Sequence, residues 1–198
     1  MIKNPYPGKF IVFEGLDGSG QSTQAEKLYK FFRQTGHLVI LTKEPTEDSQ
    51  AGRKIRKVLR KEIKVESDEL QKLFVQDRKE HLKTLIKPAL KEGKYVISDR
   101  YFLSTCAFGG IDLDIERLIN LNNDFILPDI TFFLDVSPEI SLERIGKRDQ
   151  GFEFFEEKKK LTKVRQNYKK LIERFPNIHL IDGRPSKESV FKEILEKL

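Results

Sequence analysis

A glycine-rich segment near the start of the chain constrains the fold more than any other feature of the sequence. Residues 10–14, FIVFE, are typical of a buried strand, and GLDGSGQST follows at residues 15–23 before a helical pattern begins. Glycines let the backbone curl so that successive N–H groups, together with the helix N-terminus, point at an anion. This is the layout of a Walker A loop. The residues predicted to bind nucleotide phosphates are Gly15, Leu16, Asp17, Gly18, Ser19, Gly20, Gln21, Ser22 and Thr23.

One position of this loop departs from the motif. Walker A loops carry lysine after the last glycine, and this chain has Gln21. Glutamine donates hydrogen bonds to phosphate oxygens, but it lacks the positive charge that lysine places on the β- and γ-phosphates. Three interpretations stay open: a natural variant whose charge comes from elsewhere, a deliberately inactivated form, and a nucleotide binder that has lost catalysis. We favour the first, with these candidate replacements: Lys43, Arg100, Arg144, Lys147 and Arg148.

The rest of the chain alternates short apolar runs with stretches of helical period. This rhythm predicts an α/β fold with a five-stranded, mostly parallel sheet flanked by helices. Together with the Walker A layout, it predicts the three-layer P-loop NTPase architecture. Strands are predicted at residues 9–14, 38–42, 95–99, 129–135 and 177–181. Helices are predicted at residues 22–35, 51–61, 67–91, 114–122, 138–147, 155–175 and 186–197. We expect one domain over residues 1–198, with a short lid at approximately residues 144–155.

Composition and charge exclude several classes of protein. With 38% hydrophobic and 34% charged residues, the chain is neither a disordered nor a membrane sequence, and no apolar run is long enough to cross a bilayer. The net charge of +6 favours anionic partners. Because the basic residues are interleaved with acids, nucleotides fit this charge better than nucleic acid does. The single cysteine, Cys106, and an N-terminus without an apolar signal core predict a cytoplasmic location.

Further motifs make the chain resemble the thymidylate kinase family over nearly its whole length. The matching segments are FEGLDGSG at residues 13–20, TKEPT at 42–46, LFVQDRKEH at 73–81, SDRYFLSTCAF at 98–108 and a lid-like stretch from residue 142 onward. The resemblance implies a nucleoside monophosphate kinase that transfers the γ-phosphoryl group of ATP to dTMP with Mg²⁺. It also implies a homodimer, with no nucleic-acid or membrane partner.

The resemblance assigns acceptor-binding roles to residues from several segments. Phe74 would stack on the pyrimidine ring and Arg78 would donate to a base carbonyl, although this helix alone also fits a core phenylalanine and a surface arginine. Arg100 would hold the acceptor phosphate. The implied acceptor-binding residues are Glu44, Phe74, Arg78, Arg100, Ser104, Thr105 and Phe108.

Metal and catalytic roles are implied in the same way. Ser22 would bind Mg²⁺ through its hydroxyl, and Asp99 would lie close to the metal, unless it serves only in a structural ion pair. Arginines of the lid would stabilise the transferring phosphoryl group, unless they belong to a charged helix end. The implied catalytic residues are Asp17, Arg100, Arg144 and Arg148.

Three departures from the family pattern leave the substrate open. Lys43 stands where arginine is usual, Phe108 where many members have tyrosine, and Gly109-Gly110 where a glutamine is frequent in bacterial members. They leave dUMP, UMP or another monophosphate as alternative acceptors. Two functions of other classes also stay open: a regulatory nucleotide binder, which Gln21 favours, and a protein that binds nucleic acid through its basic surface.

Overall fold

The computed structural model describes residues 1–146 and 152–198, with side chains described for residues 1–146 and 156–198. Within these ranges five strands form one sheet in the order β2-β3-β1-β4-β5, and every pairing is parallel. The strands are β1 (Phe10–Gly15), β2 (Val39–Lys43), β3 (Tyr95–Asp99), β4 (Ile130–Asp135) and β5 (Ile178–Asp182). All five predicted strands are confirmed to within a residue or so at each end, and the α/β fold is confirmed with a sheet that is parallel throughout.

The central strand β1 shows why these residues form a sheet covered on both faces. All six of its residues are buried. Side chains alternate between the faces of a strand, so Phe10 and Val12 join one hydrophobic cluster while Ile11 and Phe13 join the other. An unbroken apolar run is what a parallel strand with helices on both sides requires.

Helices occupy most of the remaining chain. They are α1 (Gln21–Gln34), α2 (Gln50–Leu59), α3 (Ser67–His81), α4 (Lys87–Lys91), α5 (Phe102–Gly109), α6 (Ile115–Leu121), α7 (Pro138–Arg144), α8 (Phe152–Ile172) and α9 (Lys187–Leu195). A π-helical turn, Leu82–Ile86, joins α3 to α4, so the predicted helix at residues 67–91 is continuous. None of the described helices is both long and apolar enough to cross a membrane.

Helix α5 was missed, and three helix ends differ by three residues from the prediction. Helix α5 was not predicted because residues 102–109 are almost uniformly apolar and nearly all buried, so they show no amphipathic period. The predicted helix at residues 138–147 ends at Arg144, and that at 155–175 begins at Phe152 and ends at Ile172. Most of the predicted lid, including Lys147 and Arg148, lies outside the described residues.

The sheet order places three loops side by side. Strands β1, β2 and β3 are neighbours, so residues 15–20, 44–49 and 100–101 leave the same carboxyl edge. In open α/β sheets this edge is where ligands bind.

Candidate active site

The loop between β1 and α1 has the shape of a phosphate cradle. Gly18 and Gly20 have φ of 77° and 101°, a left-handed conformation that favours glycine. The Ser19 amide donates to the carbonyl of Leu16 at 3.0 Å, and Leu16 is buried beneath the loop with Gly15. Helix α1 begins directly after Gly20, so its first N–H groups are available to an anion.

A cavity of about 530 Å³ opens in front of this loop. We call it the P-loop cavity. Residues 17–24 line it together with four basic side chains from other segments: Lys43, Arg100, Arg144 and Lys187. The Gln21 side chain is 6% exposed, and its Oε1 accepts a hydrogen bond of 3.3 Å from Ser19. Three of the five cations proposed to replace the loop lysine therefore line the cavity, namely Lys43, Arg100 and Arg144.

Arg144 links the loop to the segment after β5. Its Nη1 donates to the carbonyl of Gly183 at 2.9 Å and to that of Gly18 at 3.4 Å. These contacts hold a permanent positive charge against the phosphate loop. Arg148 lies outside the described residues.

Ser22 and Asp99 form the proposed metal site. The Ser22 hydroxyl donates to Oδ2 of Asp99 at 2.5 Å, and the Lys43 ammonium lies 2.8 Å from the same oxygen. The other carboxylate oxygen of Asp99, Oδ1, is buried without a hydrogen-bond partner. An unpaired buried carboxylate oxygen beside a hydroxyl fits Mg²⁺, which is held by few protein oxygens together with substrate phosphates. Accordingly, the described residues contain no group of three His, Cys, Asp or Glu residues that could hold a metal on its own.

Arg100 lies where two cavities meet. Its backbone has a φ of 76°, an unusual conformation for arginine that is typical of functional sites. The guanidinium donates to Ser104 Oγ at 2.8 Å, to the Gly15 carbonyl at 3.1 Å and to Asp17 Oδ1 at 2.8 Å. Arg100, Asp17 and Lys43 line both the P-loop cavity and the second one.

A fully buried carboxylate supports this arginine. Glu14 accepts hydrogen bonds from the amides of Tyr101 and Ser104 at 2.9 and 3.2 Å, and from the hydroxyls of Ser104 and Tyr168 at 2.5 and 3.0 Å. Burial raises the pKa of Glu14 from 4.5 to about 7, against the lowering effect of these bonds and of Arg100. Glu14 was not among the functional residues predicted from the sequence. The sequence signal that could have identified it is an acidic residue near the end of an otherwise apolar strand.

The second cavity has a volume of about 370 Å³ and contains the predicted acceptor-binding residues. We call it the Phe74 cavity. Its lining includes all seven of them: Glu44, Phe74, Arg78, Arg100, Ser104, Thr105 and Phe108. The Arg100 guanidinium lies 5.4 Å from the ring centre of Phe108. Ser104 Oγ donates a hydrogen bond to the carboxylate of Glu14.

Arg78 is buried, so the alternative of a surface arginine is wrong. Only 1% of it is exposed, and it donates to Glu44, Asn122 and Thr105 at 2.8, 2.5 and 2.8 Å. Glu44 also contacts His81 at 3.1 Å. This network fixes the guanidinium rigidly in the cavity wall, as a residue that selects one edge of a base must be fixed.

Arg56 also lines the Phe74 cavity. Its guanidinium donates to the carbonyls of Pro45 and Thr46 at 2.6 and 3.2 Å. It thereby ties helix α2 to the loop after β2.

The fold and the site are those of a P-loop α/β protein. Its two adjoining cavities are of the kind that brings two phosphate groups together. A sequence model of the thymidylate kinase family matches residues 13–194. The chain is 42% identical over 197 residues to a protein of Thermococcus gammatolerans named "Probable thymidylate kinase", covering 95% of this chain and 94% of that protein. It is 40% identical over 198 residues to the "Thymidylate kinase" of Leptospira interrogans, covering 98% and 95%. The chain therefore belongs to the thymidylate kinase family, a family of nucleoside monophosphate kinases.

Proposed function

We propose that this protein transfers the γ-phosphoryl group of ATP to dTMP, giving dTDP and ADP for dTTP biosynthesis. The observation that carries the proposal is Arg100, which is held by Asp17 and Ser104 at the boundary between the P-loop cavity and the Phe74 cavity. A cation that lines both cavities would contact both a donor phosphate and an acceptor phosphate. Family membership supports the same activity.

On the donor side, the amides of residues 15–23 would bind the phosphates of ATP. Ser22 and Asp99 would hold Mg²⁺, which neutralises charge on the β- and γ-phosphates when bound. Arg144 and Lys43 would provide the positive charge that Gln21 lacks. We propose that Arg148 and the lid at approximately residues 144–155 complete this side and exclude water.

On the acceptor side, Phe74 would stack on the base, Arg78 would donate to a base carbonyl and Arg100 would bind the phosphate. Thr105 would approach the base, and Phe108 the sugar. The attacking group is a phosphate that is already ionised, so catalysis needs no strong general base. Positioning and charge neutralisation by the chain's own residues carry the reaction.

A coupled assay tests the proposal. We expect ADP formation that depends on dTMP, and we expect Gln21→Lys to raise the rate or leave it similar. Gln21 favours one competing function, a nucleotide binder without catalysis. If neither wild type nor Gln21→Lys forms ADP while both bind ATP, the protein is such a binder. An acceptor screen with dTMP, dUMP and UMP at fixed ATP then identifies the preferred monophosphate.

We also propose a homodimer in the cytoplasm, as the family resemblance implies. Sedimentation equilibrium should give about twice the 23.2 kDa mass of the chain. A mass equal to one chain at micromolar concentration contradicts the dimer.

A further inference from the structure

Lys43 and Asp99 form an ion pair at the proposed metal site. Lys43 is the last residue of β2 and Asp99 the last of β3, and the parallel register of the two strands places them side by side. The Lys43 ammonium lies 2.8 Å from Oδ2 of Asp99, the same oxygen that accepts the Ser22 hydroxyl. The backbone register and this one oxygen atom therefore fix the position of the ammonium.

The two partners differ in exposure. The Asp99 side chain is 6% exposed, whereas the Lys43 side chain is 50% exposed. Lys43 and Ser22 line the P-loop cavity, and Asp99 is not among the described residues that do so. A cation from solvent therefore reaches Oδ2 by taking the place of the ammonium. Lysine has a flexible four-carbon stem, so this exchange needs no movement of the backbone.

An ammonium that leaves Asp99 stays close to the nucleotide sites. Lys43 lines the P-loop cavity and the Phe74 cavity. Asp17, an acid that also lines both cavities, is already paired with Arg100 at 2.8 Å. Phosphate oxygens form strong charge-assisted hydrogen bonds with an ammonium, so a bound nucleotide would provide Lys43 with a new partner.

The ion pair also affects how strongly the site attracts a metal ion. An ammonium on Oδ2 neutralises the carboxylate and repels a second cation that approaches the same oxygen. The hydroxyl of Ser22 carries no charge that could offset this repulsion. Asp99 and Ser22 are therefore a weaker site for a divalent ion while Lys43 is paired with Asp99.

We infer that Lys43 is a counter-ion that competes with Mg²⁺ for Asp99 and keeps the metal site weak in the nucleotide-free protein. The inference rests on the proposed function, because it takes Ser22 and Asp99 as the metal site. It gives Lys43 a role before phosphoryl transfer, in addition to its positive charge during transfer. One consequence is that the metal ion binds mainly together with ATP, whose phosphates accept the displaced ammonium.

Titration of the nucleotide-free protein with MnCl₂ tests the competition. Mn²⁺ prefers the same oxygen ligands as Mg²⁺, and electron paramagnetic resonance measures the free ion directly. We expect Lys43→Met to bind Mn²⁺ about tenfold more tightly than wild type. Lys43→Arg keeps the positive charge and should stay close to wild type. Adding Asp99→Asn to Lys43→Met should remove the gain.

Lys54 provides the matched control. It lies on α2 and pairs with Glu69 at 2.6 Å, and its side chain is 42% exposed, which is similar to Lys43. Lys54→Met therefore removes one lysine from one ion pair of similar exposure. Its affinity for Mn²⁺ should equal that of wild type.

Thermal melts without nucleotide give a second readout and also check folding. Lys43→Met leaves the buried Asp99 carboxylate without this cation, so the variant should melt below wild type in EDTA. Because Mn²⁺ should bind its native state more tightly, the ion should raise the Tm of Lys43→Met by more than that of wild type. If Lys43→Met does not fold, Lys43→Gln, which keeps a donor for Oδ2 without the charge, should show the same larger response.

Three outcomes overturn the inference. Lys43→Met could bind Mn²⁺ no more tightly than wild type, Lys43→Arg could show the same gain as Lys43→Met, or the gain could persist with Asp99→Asn. The coupled assay separates the inference from the proposed function. Transfer to dTMP together with a Mn²⁺ affinity that is independent of residue 43 refutes the inference alone. The expected Mn²⁺ affinities in a protein that transfers no phosphate refute the function alone.

Discussion

Glu14 lies at the end of β1, fully buried, with four donors around its carboxylate and a pKa raised to about 7. The native protein therefore keeps this proton up to about pH 7, whereas an unperturbed glutamate releases it near 4.5. Because the native state binds more protons across this window, stability falls as pH rises from 4.5 to about 7. The loss is on the order of 3 kcal/mol. Urea unfolding at pH 5, 6, 7 and 8 measures it.

Glu14→Gln provides the control for this pH dependence. The amide does not titrate, so the stability of the variant should not fall between pH 5 and pH 8 as that of wild type does. Parallel stability curves for the two proteins would show that another group is responsible.

Arg144 is predicted to replace the charge that the loop lacks at Gln21. Arg144→Ala should lower kcat by about 10³, the lower end of the range for arginines that contact a transferring phosphoryl group. Arg33→Ala, at the exposed end of α1, should leave kcat unchanged. Adding Gln21→Lys to Arg144→Ala should recover part of the rate. The assignment is wrong if the double variant recovers nothing, or if a loss of thermal stability accounts for the inactivity.

Among the elements, strands were predictable and one helix was not, for a physical reason. A buried parallel strand is marked by its own composition, as in residues 10–14. Helix α5 has no polar face, and its first amides are satisfied by Glu14, which lies 87 residues before Tyr101. A cap supplied from so far away leaves no local signal at the helix start. For the same reason the buried state of Arg78 could not be foreseen, because its partners come from three other segments.

Helix α3 is predicted to hold the loop after β2 through Asp77. This carboxylate is 1% exposed and accepts from the Thr46 amide at 2.9 Å and from the hydroxyls of Thr46 and Ser49, both at 2.5 Å. Asp77→Asn places an amide donor against these donors, which should cost about 1–3 kcal/mol in the free energy of unfolding. The KM for dTMP should rise, because the loop carries Glu44. Urea unfolding and steady-state kinetics measure the two effects.

Asp68, also on α3, is the matched control for Asp77. It pairs with Lys72 and Arg117 at the surface, so Asp68→Asn should change stability by less than about 1 kcal/mol. Equal effects of the two substitutions would mean that the buried contacts of Asp77 do not fix the loop.

On the scale of the whole molecule, the site depends on strand order. Ser22 and Asp99 are 77 residues apart, and they meet because β1 pairs with β3. The sequence located both residues through separate motifs, but their contact and the unpaired oxygen of Asp99 required the folded sheet. The same holds for Arg100, whose motif is evident in the sequence while its place between two cavities is not.

Two separate cavities predict two separable ligand responses. At about 100 times its Kd, a ligand stabilises the native state by about 2.7 kcal/mol, which raises Tm by roughly 5–10 °C in a chain of this size. We expect shifts of this size from dTMP and from the ATP analogue AMP-PNP with Mg²⁺, each in the absence of the other. Phe74→Ala should abolish the dTMP shift and keep that of AMP-PNP, whereas Ser22→Ala should weaken the Mg²⁺-dependent shift and keep that of dTMP. If dTMP instead displaces AMP-PNP, the two nucleotides share one site, and transfer between them across Arg100 is impossible.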